Sequence, residues 1–130
     1  MNEMKQLYIA LFLLMSALVM SCGNREAERI MDSAEDVMWT RPDSALTALE
    51  SIDTLALKTK SQRARYSLLY TMALDRNHLT IQDLRVIKPA ASYYENHGSN
   101  DDKMKMYFYL GTAQYDTGDP EAAITSYLRA

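Results

Sequence analysis

The stretch YFYLGTAQYDTGDPEAAITSYLRA, from Tyr107 to Ala130, constrains the fold of this chain more than any other. It reads as a helix, a tight turn and a second helix. The first helix spans about Met104 to Thr117. Tyr107, Leu110, Gly111 and Gln114 line one side of it, and Phe108, Thr112 and Tyr115 line another. A glycine inside a helix costs about 1 kcal/mol against alanine. It is kept where a neighbouring backbone must come close, which Gly111 therefore implies. Gly118 ends the helix, Asp119 caps the next and Pro120 opens it, where the missing N–H is not needed. Ala122, Ala123, Tyr127 and Ala130 then face back toward Gly111. The pair is a close antiparallel hairpin.

Helical periodicity recurs upstream. Ile30, Met31, Ala34, Val37 and Met38 repeat at spacings of three and four, with acids between them. Pro42 and Asp43 suit the first turn of a second helix, whose apolar stripe is Ala45, Leu46, Leu49 and Ile52. A third helix is expected from about Lys60 to Asp75. A fourth is expected from Thr80, which with Asp83 resembles a capping box, to His97, with a kink or break near Ile87 because Pro89 lies within it. Gly98 is a good stop, and Ser99 to Asp102 offer caps for the final pair. The chain has few glycines and prolines, which argues against a sandwich or barrel.

The last hairpin resembles a tetratricopeptide repeat, a helix–turn–helix unit of about 34 residues. Tyr107 stands where that family usually has tryptophan. Leu110, Gly111, Ala123, an aromatic at Tyr127 and Ala130 match, and Gly118 with Asp119 match the common turn. Gln114 departs from the usual tyrosine. RPDSALTALESI and DPEAAITSYLRA are fainter copies of one another, aligning Pro42 with Pro120, Ala45 with Ala123, Leu46 with Ile124 and Leu49 with Tyr127. A degenerate middle unit fits between them. The fold class expected is therefore all-α, an α-solenoid of about three degenerate hairpins over residues 29–130, with a plain six-helix bundle as the alternative. The final helix stops without a solvating cap, so the chain is expected to be the N-terminal part of a longer protein or a truncated product.

The N-terminus carries a different signal. An uncharged run from Leu7 to Met20 is shorter than the ~20 residues of a membrane span and suits a secretory core. It ends in LVMSC, with Ser21 before Cys22, the sole cysteine. This resembles the lipobox of bacterial lipoproteins, in which the cysteine is diacylated and the chain is cut before it. The resemblance implies a signal peptide at 1–21, lipidation of Cys22, a polar tether at 22–28 and a place in the bacterial cell envelope. A buried N-terminal helix, a signal peptide without lipid and an uncleaved anchor are the alternatives.

Little in the sequence points to chemistry. His78 and His97 make no metal site with nearby carboxylates, adjacent acids such as Asp101 and Asp102 point different ways on a helix, and no phosphate-cradling loop is present. No catalytic residue, metal or cofactor is expected. A net charge of −3 without a basic run gives no case for nucleic acid. In repeats of the resembled family, the side of the first helix carrying Lys105, Phe108, Thr112 and Tyr115 lines a peptide-binding groove; packing against the preceding repeat is the bland reading of those residues. The function expected is a non-catalytic scaffold for a protein or peptide partner, held to a membrane by its N-terminal lipid. A glycan-binding envelope lipoprotein and the sensor part of a longer regulatory protein are the alternatives. The former is disfavoured because Trp39 is the only tryptophan.

Overall fold

A computed structural model describes the backbone of residues 1–130 and the side chains of 1–16 and 24–130. Cys22, the expected lipidation site, lies outside the described side chains. The described residues are all-helical: α1 (Asn2–Val37), α2 (Pro42–Glu50), α3 (Lys60–Arg76), α4 (Lys88–Tyr94), α5 (Asn100–Asp116) and α6 (Pro120–Arg129). Short 3₁₀ turns at Thr54–Ala56 and Leu84–Val86 interrupt the links before α3 and α4. Among the described residues, no helix is long and apolar enough to cross a membrane.

Each helix packs on the next, so α1 pairs with α2, α3 with α4 and α5 with α6. α1 also touches α3, and α3 touches α5. One continuous core runs through the stack, and Met31, Met38, Leu49, Ile81, Ile87 and Met106 are its largest fully buried side chains. Residues 2–16 of α1 take no part in it. Leu7, Phe12 and Leu14 are each more than half exposed, and Ala27 is the first buried side chain described.

Local chemistry sets the helix ends. Thr59 and Gln62 form a capping box at the start of α3, and Ser99 and Asp102 form one at the start of α5. The Asp119 carboxylate accepts the Ala122 N–H at 3.0 Å, with Pro120 opening α6. Gly118 takes a φ of +91°, the left-handed conformation that glycine adopts without a Cβ penalty.

Two expectations are corrected. The segment expected as a helix from Thr80 to His97 is broken at Ile87, where a kink or break was expected, and only Lys88–Tyr94 is α-helical, with Pro89 in its first turn. Asp83 caps Arg85 at the head of the 3₁₀ turn instead, and Thr80 is exposed. The polar tether expected at 22–28 also differs, since residues 24–28 continue α1. Ala27 is buried there, and the Gln62 amide donates to Asn24 and Glu28. The side chain that shapes this part of α3 is Ser67. Its hydroxyl donates to the Val86 carbonyl at 2.6 Å and accepts the Ala90 N–H at 3.3 Å, fastening the 3₁₀ turn and α4 to α3.

Candidate partner-binding face

The expected groove residues of α5 fall on one helical stripe, since 105, 108, 112 and 115 recur at spacings of three and four. All four are at least partly exposed, with Phe108 at 46% and Tyr115 at 65%. Lys105 pairs with Asp101 one turn earlier at 2.7 Å. That hydrogen bond holds its ammonium above the usual lysine range despite partial burial. The charges of Glu35 on α1 and of Asp102 add to that shift.

α6 completes this face. The ring of Tyr127 lies 5.6 Å from that of Phe108, and its hydroxyl donates to Thr112 Oγ at 3.3 Å. Tyr127 packs its ring on Gly111 and is nonetheless 40% exposed. It covers Gly111 from the edge of the hairpin and presents its other side to solvent. A Cβ built on Gly111 would lie 2.7 Å from the Tyr127 ring, which is why this helix position holds glycine. Ala123 is buried, Leu110 is half-buried and Ala130 is exposed at the end of α6. Tyr107 is also only half-buried, with the Arg129 guanidinium 5.6 Å above its ring.

The side chains that fill the hairpin interior are Met106, Tyr109 and Ala113. Their own spacing of three and four was readable, but reading Tyr107 as the signature aromatic hid it. Ser126 was also missed. It is buried and donates to Gln114 Oε1 at 2.6 Å, so the residue that departs from the family pattern has a structural partner.

The Gly111–Tyr127 contact gives a testable coupling. In a Tyr127→Ala background, Gly111→Ala is expected to raise stability by about 1 kcal/mol, the helix-propensity difference. In the wild type the same change is expected to lose that gain, because the ring must leave Phe108 and Thr112. A double-mutant cycle read by urea denaturation would give a coupling of about 1 kcal/mol or more; additivity would mean that the ring does not set the glycine.

Electrostatics elsewhere are structural. Arg65 of α3 reaches Glu28 at 3.0 Å and both Asp32 and Glu35 at 2.8 Å on α1. Burial alone would lower the pKa of its guanidinium, but the hydrogen bonds to Glu35 and Asp32 outweigh that and hold it above the ordinary arginine value. Tyr94 is pushed up to about 12, first by burial and then by Asp102. Burial, then the charge of Asp116, raises the Asp75 carboxyl. Asp116 in turn accepts the Ile81 N–H at 2.8 Å, which places it as an anchor of the α3–α4 link. Among the described residues, no three histidine, cysteine or acidic side chains gather where a metal ion could bind.

No protein-family model, curated protein or solved structure matches the chain.

Proposed function

We propose that the chain is a non-catalytic, lipid-anchored scaffold of the bacterial envelope whose tetratricopeptide-like hairpins hold a protein or peptide partner. The observation that carries this reading is the order of packing. α1/α2, α3/α4 and α5/α6 pair as hairpins, and α1, α3 and α5 touch in sequence. Packing concentrated between neighbouring hairpins supports a stack of repeats over a closed bundle. The exposed stripe of Lys105, Phe108, Thr112 and Tyr115, widened by Tyr127, offers aromatic rings with polar tips of the kind that anchor interfaces. The N-terminal half of α1 adds support, since a signal segment would lie outside the folded core, as Leu7 to Met15 do. Two acyl chains on Cys22 would give stable membrane attachment, whereas one alone is marginal.

The test uses the full reading frame in a bacterial host. Wild type is expected in the membrane fraction with a diacyl mass on an N-terminal Cys22. Cys22→Ala is expected to lose the lipid and leave that fraction. Crosslinking of the wild type in whole cells is expected to capture an envelope protein, and capture is expected to fall at least tenfold for Phe108→Asp with Tyr115→Asp. An intact Met1 without lipid would overturn the localisation. Capture indifferent to both substitutions would overturn the binding face.

A further inference from the structure

A second surface lies on the other side of α3. Lys60, Arg63, Tyr66 and Tyr70 recur at spacings of three and four and form a stripe along one side of the helix. Arg65 is about 200° round the axis from Arg63 at ~100° per residue, so the stripe faces away from the acidic row of α1. Two clefts open along it. One of about 380 Å³ lies between Tyr66 and Tyr70 of α3 and the two 3₁₀ turns. The other, of about 360 Å³, lies between Lys60 and the Tyr93–His97 end of α4. Both are bounded by Arg63 and Pro89, so they form one groove.

The groove exists because Pro89 delays α4. With that helix confined to Lys88–Tyr94, only the two short 3₁₀ turns flank α3 beside Tyr66 and Tyr70, and a cleft stays open between them. The two rings stack 5.7 Å apart and 7° from parallel, and Tyr93 stacks on His97 at 4.5 Å. Both ends therefore present flat aromatic surface.

Its charge runs against that of the molecule. The chain carries a net charge of −3, yet Lys60, Arg63 and Arg85 line the groove and no acidic side chain does. Asp83 neutralises Arg85 at 2.6 Å. Lys60 and Arg63 enter no ion pair among the described residues. Arg63 spends one donor on the Leu57 carbonyl at 2.9 Å, which fixes the guanidinium at the junction and leaves its other N–H groups free. At the opposite end burial raises the Tyr66 and Tyr70 hydroxyls, with Tyr70 adding to the shift of Tyr66 and the charge of Glu50 adding to both. The groove is thus polarised, cationic toward Lys60 and apolar toward Tyr70.

We propose that this groove binds an extended acidic peptide segment, with carboxylates on Lys60 and Arg63 and a neighbouring apolar or aromatic side chain over Tyr66 and Tyr70. From residue 60 to 70 the helix rises about 15 Å at 1.5 Å per residue. That matches four to five residues of extended chain at roughly 3.3 Å each. A carboxylate can take two parallel bonds from a guanidinium held in place, which favours Arg63 as the anchor. The site is separate from the α5 face and does not depend on the lipid anchor.

The probe is a fluorescein-labelled peptide of one phenylalanine followed by four glutamates, read by anisotropy against the full chain carrying Cys22→Ala. Saturable binding is expected, weakening as salt rises, with no binding of the lysine counterpart. Lys60→Glu with Arg63→Gln is expected to weaken it at least tenfold with an unchanged helical circular dichroism spectrum. Tyr70→Ala tests the apolar end and is expected to weaken it several-fold. Three results would overturn the proposal: no binding at millimolar peptide, binding lost on Lys105→Glu but kept in the Lys60/Arg63 variant, or equal binding of a single-stranded oligonucleotide of the same charge through the same residues. The second would assign the peptide to the α5 face, and the third would make the groove a general polyanion surface.

Discussion

Leu49→Ala is expected to lower the unfolding free energy by about 2–5 kcal/mol, the range for emptying a well-packed leucine site. α2 is nine residues long, too short to hold its own helix in water. It stays folded because it is pinned between α1 and α3, and the side chains it buries fully are Ala45 and Leu49. Leu49 has no exposed surface, so its loss leaves a cavity that alanine cannot fill. Leu128→Ala is the matched control. That side chain is 84% exposed, and its removal is expected to change stability by no more than about 0.5 kcal/mol. Because packing runs between neighbouring hairpins, the damage is expected to be local. Native-state hydrogen exchange should show amides of α2 opening first while those of α5 and α6 keep most of their protection. Uniform loss of protection across all helices would mean that the stack unfolds as one unit and that the repeat reading of the fold is wrong.

The all-helical character was legible because it rests on short-range signals. Pro42, the Gly118–Asp119–Pro120 turn and the Ser99 start of the final pair act within a few residues, and the structure places helix boundaries at each. The region from Thr80 to His97 was misread because two local signals competed. Thr80 and Asp83 look like a capping box, yet the actual cap is Asp83 on Arg85, and the start of α4 is set by Pro89 and by Ser67, a long-range partner on α3. No periodicity rule reads that bond. The candidate face was legible as a stripe on α5 but not in its full extent. Tyr127 joins Phe108 and Thr112 only because α6 folds back at a particular angle over Gly111. The cationic groove on α3 went unread for the same reason. Lys60 and Arg63 look like ordinary solvated charges until the shortness of α4 leaves aromatic surface open beside them.

Arg65→Met is expected to destabilise the chain by about 1–3 kcal/mol at low ionic strength, the range for charge-assisted hydrogen bonds lost at a partly buried site. One guanidinium serves three carboxylates of α1, and its own side chain is 29% exposed. Methionine keeps much of the packing of the stem and removes only the charge and its donors. Glu28, Asp32 and Glu35 would then lie along one side of α1 without the guanidinium, and α1 would hold to α3 through its apolar contacts and the Gln62 amide. Because those carboxylates are themselves between 38% and 65% exposed, screening should matter. The deficit of the variant is expected to shrink by about half or more between low salt and roughly 1 M salt, where the Debye length falls to about 3 Å. Arg65→Lys is expected to restore only part of the loss, since a single ammonium cannot span three acceptors as the planar fork does. Urea denaturation of the three proteins at two ionic strengths separates these contributions. A salt-independent deficit in the methionine variant would assign the loss to packing of the arginine stem, and the α1–α3 contact would then be apolar in origin.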